Sequence, residues 1–96
     1  MIIWKDVSHH SRGAADKSPR IVETVVQGLK VTVHKYVGCG DDWFVSANAL
    51  GINQEYLGTT DLEVAKAKAI EIVLARLRLL FTTYGDAIRE LEEENN

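Results

Sequence analysis

The sequence has little of what marks several protein classes. Its one cysteine, Cys39, can form no disulfide within the chain, which favours a reducing, cytoplasmic location. No apolar run approaches the roughly 20 residues that cross a bilayer. The first residues, Met1–Asp6, also lack the basic start and long apolar run of a signal peptide. We therefore expect neither a membrane segment nor a disulfide framework.

Positive charge is also scarce. The chain has 11 basic and 14 acidic residues, a formal net charge of -3 at pH 7. A protein that coats DNA or an anionic membrane is normally basic. The acidic surplus is concentrated near the C-terminus, in Glu90, Glu92, Glu93 and Glu94. The rest of the chain is near neutral, so the net charge does not exclude a local nucleic-acid site.

Strand and turn signals fill the first part of the chain. The whole chain has 96 residues, which is long enough for one domain. β-branched and alternating apolar residues predict strands, and clusters of Ser, Gly, Asp and Asn predict loops. Strands are predicted over residues 2–7, 20–27, 29–37 and 43–50, loops over 8–19, 38–42 and 51–55, and a few extended residues over 56–58. Gln27-Gly28 is the predicted turn of a hairpin.

Good helix formers fill the last third. Thr60-Asp61-Leu62-Glu63 has the form of a capping box, which predicts Thr60 as the N-cap. The apolar phase continues across Gly85, so we predict one long helix; the alternative is a second short helix capped by Asp86. The expected fold is α+β: an antiparallel meander of three or four strands packed on one long C-terminal α-helix. Residues 1–96 form one domain, with a sheet part over 1–58 and the helix with its acidic tail over 60–94.

Apolar residues of this helix recur in alternating steps of three and four. They are Ile70, Val73, Leu77, Leu80, Tyr84, Ala87 and Leu91. This spacing is typical of a seam against another helix. With flanking residues such as Leu74 and Phe81, the apolar arc exceeds the roughly 100° that a helix on a sheet needs. We therefore predict a homodimer or a partner-protein contact through Ile70, Val73, Leu77, Leu80, Tyr84 and Leu91. The alternative is that the N-terminal strand and loop 8–19 cover the arc.

Residues capable of chemistry form no recognised motif. His9, His10, His34, Cys39, Asp41 and Asp42 lack zinc-site spacing. A nucleophilic cysteine needs an oriented base, and only His34 comes near Cys39 along a predicted hairpin. Ser8 and Ser46 have no nucleophile-elbow context, and the glycines form neither a dinucleotide fingerprint nor a P-loop. We predict a non-enzymatic protein without metal or cofactor.

The only concentration of basic residues outside the helix lies around loop 8–19. It comprises His9, His10, Arg12, Lys17 and Arg20. This set predicts contacts to phosphate or to an acidic partner, with Trp4, Trp43, Phe44 and Tyr56 as possible stacking surface. Trp and Phe in a small domain are more often core residues. Arg76 lies near the centre of the helix's apolar arc, where we expect it to reach solvent or to meet a carboxylate, of its own chain or of a second copy.

Two resemblances add to these patterns. The segment Leu57-Gly58-Thr59-Thr60-Asp61-Leu62-Glu63-Val64-Ala65, after three strands and Trp43-Phe44, resembles the strand-to-helix junction of ethylene-response-type and integrase arm-binding DNA-binding domains. In size, element order and acidic end, the whole chain resembles small phage and prophage accessory proteins. Anti-CRISPR inhibitors are among those proteins and act by binding.

The leading hypothesis is a dimeric, cytoplasmic protein-binding protein, an inhibitor or regulator of a host protein such as a defence component. The alternative is a DNA-binding module that uses the sheet face and the basic loop 8–20. The first needs a protein target and no nucleic acid, and the second needs salt-sensitive phosphate contacts.

Overall fold

The chain folds as a β-meander followed by one helix. The structure is a computed structural model that describes residues 2–8, 19–36 and 40–95. Within these ranges the elements are β1 (Lys5–Asp6), β2 (Ile21–Val26), β3 (Leu29–Lys35), β4 (Trp43–Ala47), a 3₁₀ turn (Asn48–Leu50), β5 (Ile52–Tyr56) and α1 (Leu62–Glu94). The strands pair antiparallel in chain order, β1 to β5. The predicted α+β class is confirmed, with one strand more than the predicted maximum.

The β2–β3 hairpin turns where the sequence predicted it. Gln27 and Gly28 both have positive φ, 51° and 79°, the conformation of a two-residue turn whose twist matches that of its strands. The register pairs Val26 with Leu29 and Val22 with Val33. The apolar alternation of both strands therefore falls on one face of the sheet.

The loop predicted over residues 51–55 is wrong, because this stretch forms β5. The 3₁₀ turn and Gly51, with φ of 71°, reverse the chain so that Ile52 pairs with Ala47. The ladder is irregular between Val45 and Ala47. This irregularity breaks the two-residue alternation, and the polar run 53–55 gives no apolar signal to reveal the strand. The prediction of one strand over 43–50 is wrong for the same reason.

The core lies between one face of the sheet and the first turns of α1. The sheet contributes mostly branched aliphatic side chains and Trp43, and the helix contributes Ala65, Ala69 and Val73, which are buried. Two alanines on the contacting face let the helix backbone come close to the sheet. The indole N–H of Trp43 donates to the carbonyl oxygen of Thr60 at 3.1 Å, so the core residue also holds the start of the helix.

The helix begins one residue later than predicted, with Asp61 rather than Thr60 as its N-cap. One carboxylate oxygen of Asp61 accepts the backbone N–H groups of Glu63 at 2.9 Å and Val64 at 3.1 Å. The Thr60 carbonyl is bound by Trp43, which keeps Thr60 outside the helix. From Leu62 the helix runs through Gly85 to Glu94 without a break, as predicted.

The helix is far longer than the sheet that it covers. Its 33 residues span about 50 Å at 1.5 Å per residue, and the molecule measures 65 × 24 × 23 Å. All the buried helix residues lie between Ala65 and Val73. From Phe81 to Glu94 every residue except Gly85 is exposed. The second half of α1 thus extends beyond the sheet.

The N-cap assignment is testable with two neighbouring alanine variants. Asp61→Ala removes an acceptor for two helix N–H groups and should lower the free energy of unfolding by about 1 kcal/mol. Thr60→Ala is the matched control and should change it by less than about 0.5 kcal/mol, because the bond from Trp43 uses the backbone carbonyl. Denaturant unfolding followed by circular dichroism measures both. A larger loss in Thr60→Ala would contradict the assignment.

Candidate interaction surface

The exposed end of α1 is the most unusual surface of the molecule. We call residues 77–94 the projecting half. It carries large apolar side chains in contact with solvent, among them Phe81, 82% exposed, and Leu91, 69% exposed. Single exposed apolar residues are ordinary, but several on one short segment mark an interaction surface.

These side chains are arranged along the helix rather than scattered. At 100° per residue, all but one of the large apolar residues of the projecting half fall within an arc of about 120°. We call this arc the apolar stripe; it comprises Leu77, Leu80, Phe81, Tyr84, Ala87, Ile88 and Leu91. The exception is Leu79, which lies well outside the stripe. The stripe continues the side of the helix that carries Val73, so the surface that packs on the sheet extends past the end of the sheet.

Two apolar hollows lie where the helix leaves the sheet, and Leu77 lines both. The larger, about 650 Å³, lies between the 3₁₀ turn and the stripe, with Leu50 and Tyr84 in its walls. The smaller, about 190 Å³, lies between Ile2, the β2–β3 hairpin and Leu74. The described N-terminal residues thus reach the helix where it still packs on the sheet. Residues 9–18 of the predicted covering loop lie outside the described ranges.

The six predicted interface residues divide between two environments. Val73 is buried in the core and Ile70 is half-buried beside it. Leu80 is half-buried, while Leu77, Tyr84 and Leu91 are exposed. The first two therefore serve the chain's own fold, and the last four lie on the stripe.

Arg76 links the helix to the end of the sheet. Its Nη1 donates to the carbonyl oxygen of Leu50 at 2.7 Å, and its Nη2 lies 3.9 Å from a carboxylate oxygen of Glu55. The guanidinium thus satisfies a backbone acceptor of the 3₁₀ turn while its side chain stays about one-third exposed. Arg78, two residues on, is exposed.

The sheet face turned away from the helix carries a cluster of rings. We call it the aromatic patch: His34, Tyr36, Phe44 and Tyr56. Ring centroids are 4.9 Å apart for Tyr36–Phe44 and 5.6 Å for Phe44–Tyr56, a spacing typical of interacting aromatic pairs. Of the predicted stacking residues, Phe44 and Tyr56 lie here. Trp43 is buried in the core and presents no ring to a ligand, and Trp4 is partly buried against that core.

His34, a member of the aromatic patch, forms a hydrogen-bonded pair with Ser46. Nε2 of His34 lies 2.9 Å from Oγ of Ser46, and the same Oγ accepts the N–H of Gln54 at 3.0 Å. Burial lowers the pKa of His34 below its ordinary value of 6.5, with a weaker opposing effect of a backbone hydrogen bond at Lys35. In the tautomer that carries its proton on Nδ1, the neutral ring accepts a hydrogen bond from the Ser46 hydroxyl. Because the bonded groups belong to β3, β4 and β5, the pair joins three strands.

Two lysines of the described sheet, Lys30 and Lys35, are matched with carboxylates. Lys30 lies 3.3 Å from Glu23, and Lys35 lies 3.6 Å from Asp41 and over the ring of Trp43. Of the predicted phosphate contacts, Arg20 is exposed at the start of β2. His9, His10, Arg12 and Lys17 lie outside the described residues, as does Cys39.

Comparisons with known proteins leave the function to be argued from this geometry. The chain has no match among protein-family models, curated proteins or solved structures. In the described parts of the chain, no three His, Cys, Asp or Glu residues are placed to share a metal ion. No helix in these parts is apolar enough over its length to cross a membrane. The projecting half and the aromatic patch are the two surfaces on which the proposed function rests.

The lowered pKa of His34 predicts a pH-dependent stability. The unfolded chain takes up a proton near pH 6.5 more readily than the folded chain does, so the free energy of unfolding should fall as pH drops from about 7.5 through 6.5. His34→Gln should flatten this slope. The double variant His9→Gln/His10→Gln removes two other imidazoles and serves as the control. It should keep the slope of the unfolding free energy with pH. Equal slopes in His34→Gln and the unmodified protein, measured by thermal unfolding, would contradict the assignment.

Proposed function

We propose that the chain is a non-catalytic binding protein that works as a homodimer, with the projecting half of α1 as its dimer interface. The observation that carries this proposal is the apolar stripe, exposed along the helix beyond the sheet. In proteins most helical stability comes from packing of an apolar face rather than from helix propensity. A continuous helix with such a face therefore needs a surface to cover it.

A second copy of the chain can cover this apolar face, and burial of the apolar side chains favours association. Burying one large apolar side chain contributes about 1.5–3 kcal/mol. Each copy brings Leu77, Leu80, Phe81, Tyr84, Ile88 and Leu91 to the interface. Because several of these side chains are already partly covered, their further burial is of the same order as the usual entropic cost of association, estimated at about 4–15 kcal/mol.

The spacing of the stripe favours a helical partner. Its residues keep the three-four alternation with one further apolar position in each heptad, the pattern of a helix packed in a bundle. A stripe of this kind is complementary to a copy of itself, and two-fold dimers are the commonest assemblies of identical chains.

The dimer leaves the opposite face of the sheet free for a target. We propose that this target is another protein, contacted through the aromatic patch, whose rings offer contact area at low entropic cost. The resemblance to small phage and prophage proteins supports a more specific role. In that role the protein inhibits or regulates a host protein, such as a component of a defence system, in the cytoplasm.

Two leucine variants test the dimer. Leu91→Glu places a charge on the stripe and should convert the dimer to a monomer at micromolar concentration. Much of the secondary structure should stay intact, and only the helical circular dichroism signal of the uncovered half should decrease. Leu79→Glu makes the same change at a residue with similar exposure, 61% against 69%, but outside the stripe, and should leave the dimer intact. Leu80→Glu should damage both association and fold, since Leu80 is half-buried. Sedimentation velocity measures the association.

The unmodified protein provides the decisive result. A folded monomer at all concentrations up to the millimolar range would overturn the proposed dimer. Equal weakening by Leu91→Glu and Leu79→Glu would show that the stripe is not the interface.

DNA binding is the second candidate, favoured by the aromatic patch on an open sheet face. The pairing of Lys30 and Lys35 with carboxylates reduces the positive potential that such binding needs. We therefore expect no mobility shift of random duplex or single-stranded DNA near physiological salt. A shift that weakens steeply with salt and is lost in Phe44→Ala/Tyr56→Ala would favour DNA binding instead. The double variant must keep its folded spectrum for this comparison.

A further inference from the structure

We infer that the second copy packs against the end of the sheet as well as against the apolar stripe, with the 3₁₀ turn as its second contact surface. This inference rests on the proposed homodimer and adds a surface outside α1 to the interface. It follows from the side of the helix on which the stripe lies, from the shape of the surface there and from the area that a stable dimer needs.

The stripe lies on the side of α1 that also packs on the sheet. It continues the side that carries Val73, the last of the buried helix residues. Two packed helices have axes about 8–10 Å apart. Because Ala65 and Ala69 let the sheet pack closely on the same side, the sheet and a partner helix lie at similar depths beneath α1. The partner helix therefore lies in the layer of the sheet, past its end, and meets that end.

The end of the sheet and the stripe form one concave apolar surface. Two turns make this end, the β2–β3 hairpin turn and the 3₁₀ turn. Val26 and Leu29 of the hairpin line the smaller hollow, and Ala49 and Leu50 of the 3₁₀ turn line the larger one. Leu77 lines both hollows, so it lies where the stripe meets the sheet. A helix that packs on the stripe beside Leu77 therefore also contacts the end of the sheet.

Arg76 holds the 3₁₀ turn in place as one wall of this surface. Its bond to the Leu50 carbonyl, 2.7 Å, fixes the turn to the helix. Gly51 follows the turn so closely beside the same guanidinium that a Cβ added there would lie 3.6 Å from Nη1. Ala49, next to the anchored Leu50, is exposed. The wall is therefore formed before a partner binds, which lowers the entropy lost on association.

The stripe alone offers less apolar area than a stable dimer needs. Its five large exposed residues are between 39% and 82% exposed. If a fully exposed large side chain presents about 150–200 Å², their complete burial covers roughly 450–600 Å² of each copy. A stable interface typically buries about 800 Å² per partner. Contact with the end of the sheet supplies the further area. A two-fold dimer makes this contact twice, because the stripe of each copy meets the sheet end of the other.

An arginine in the larger hollow tests this contact. Ala49→Arg fills the hollow and should raise the dissociation constant of the dimer by about tenfold or more. Because Ala49 is exposed, the near-ultraviolet circular dichroism signal of the buried Trp43 should stay unchanged. Asn48→Arg is the matched control. It adds the same charge to the same turn, at an exposed residue that lines a different hollow with Lys30 and Thr32, and it should leave the dimer intact.

Sedimentation velocity measures the association of both variants. An unchanged dissociation constant in Ala49→Arg, with Leu91→Glu monomeric, would limit the interface to the helix and overturn the inference. Equal weakening by Ala49→Arg and Asn48→Arg would overturn it as well, because the effect would then not come from the hollow.

Thiol labelling locates the contact without a change of charge. In a Cys39→Ser background, Ala49→Cys should react with a maleimide several-fold more slowly in the dimer than after the further change Leu91→Glu. Asn48→Cys should react equally fast in both. Equal rates for Ala49→Cys would overturn the contact at the 3₁₀ turn and leave the dimer standing. A monomeric unmodified protein would instead overturn the proposed function itself.

Discussion

The length of α1 relative to the sheet is the constraint on which the rest of this structure depends. A small meander can cover about three turns of a helix, and here it covers those around Ala65, Ala69 and Val73. The remaining turns keep their hydrogen bonds and their apolar side chains but have no sheet beneath them. Most helical stability in proteins comes from packing of an apolar face, and these turns lack such packing in the single chain. Folding of the second half and association are therefore expected to be coupled.

The junction between sheet and helix fixes the direction in which the projecting half leaves the core. Trp43 donates to the Thr60 carbonyl, and Asp61 caps the first turn, so the start of the helix is held to β4. Arg76 binds the Leu50 carbonyl and holds the helix again where the sheet ends. Between these two points the alanines allow close packing. The stripe is thereby presented by a rigid element, which lowers the entropy lost on binding.

Much of the architecture can be predicted from the sequence, and the elements that cannot be predicted have physical causes. The hairpin at Gln27-Gly28 and the long helix follow from local patterns that no tertiary contact overrides. β5 was missed because its polar residues are exposed and the irregular ladder beside Ala47 disrupts the alternation. The N-cap was misplaced because a tertiary bond from Trp43 decides between two adjacent candidates. The His34–Ser46 pair has no sequence signal, since it depends on the register of β3 with β4.

The acidic end of the helix adds a cost that packing elsewhere has to offset. Glu90, Glu92, Glu93 and Glu94 lie where the helix dipole favours cations, and the last turn of α1 holds no basic residue. In the proposed dimer the apolar stripe supplies the energy of association, whereas exposed charges contribute little to it. Like charges opposed across an interface are nevertheless unfavourable, so these glutamates disfavour any arrangement that sets the two acidic ends side by side.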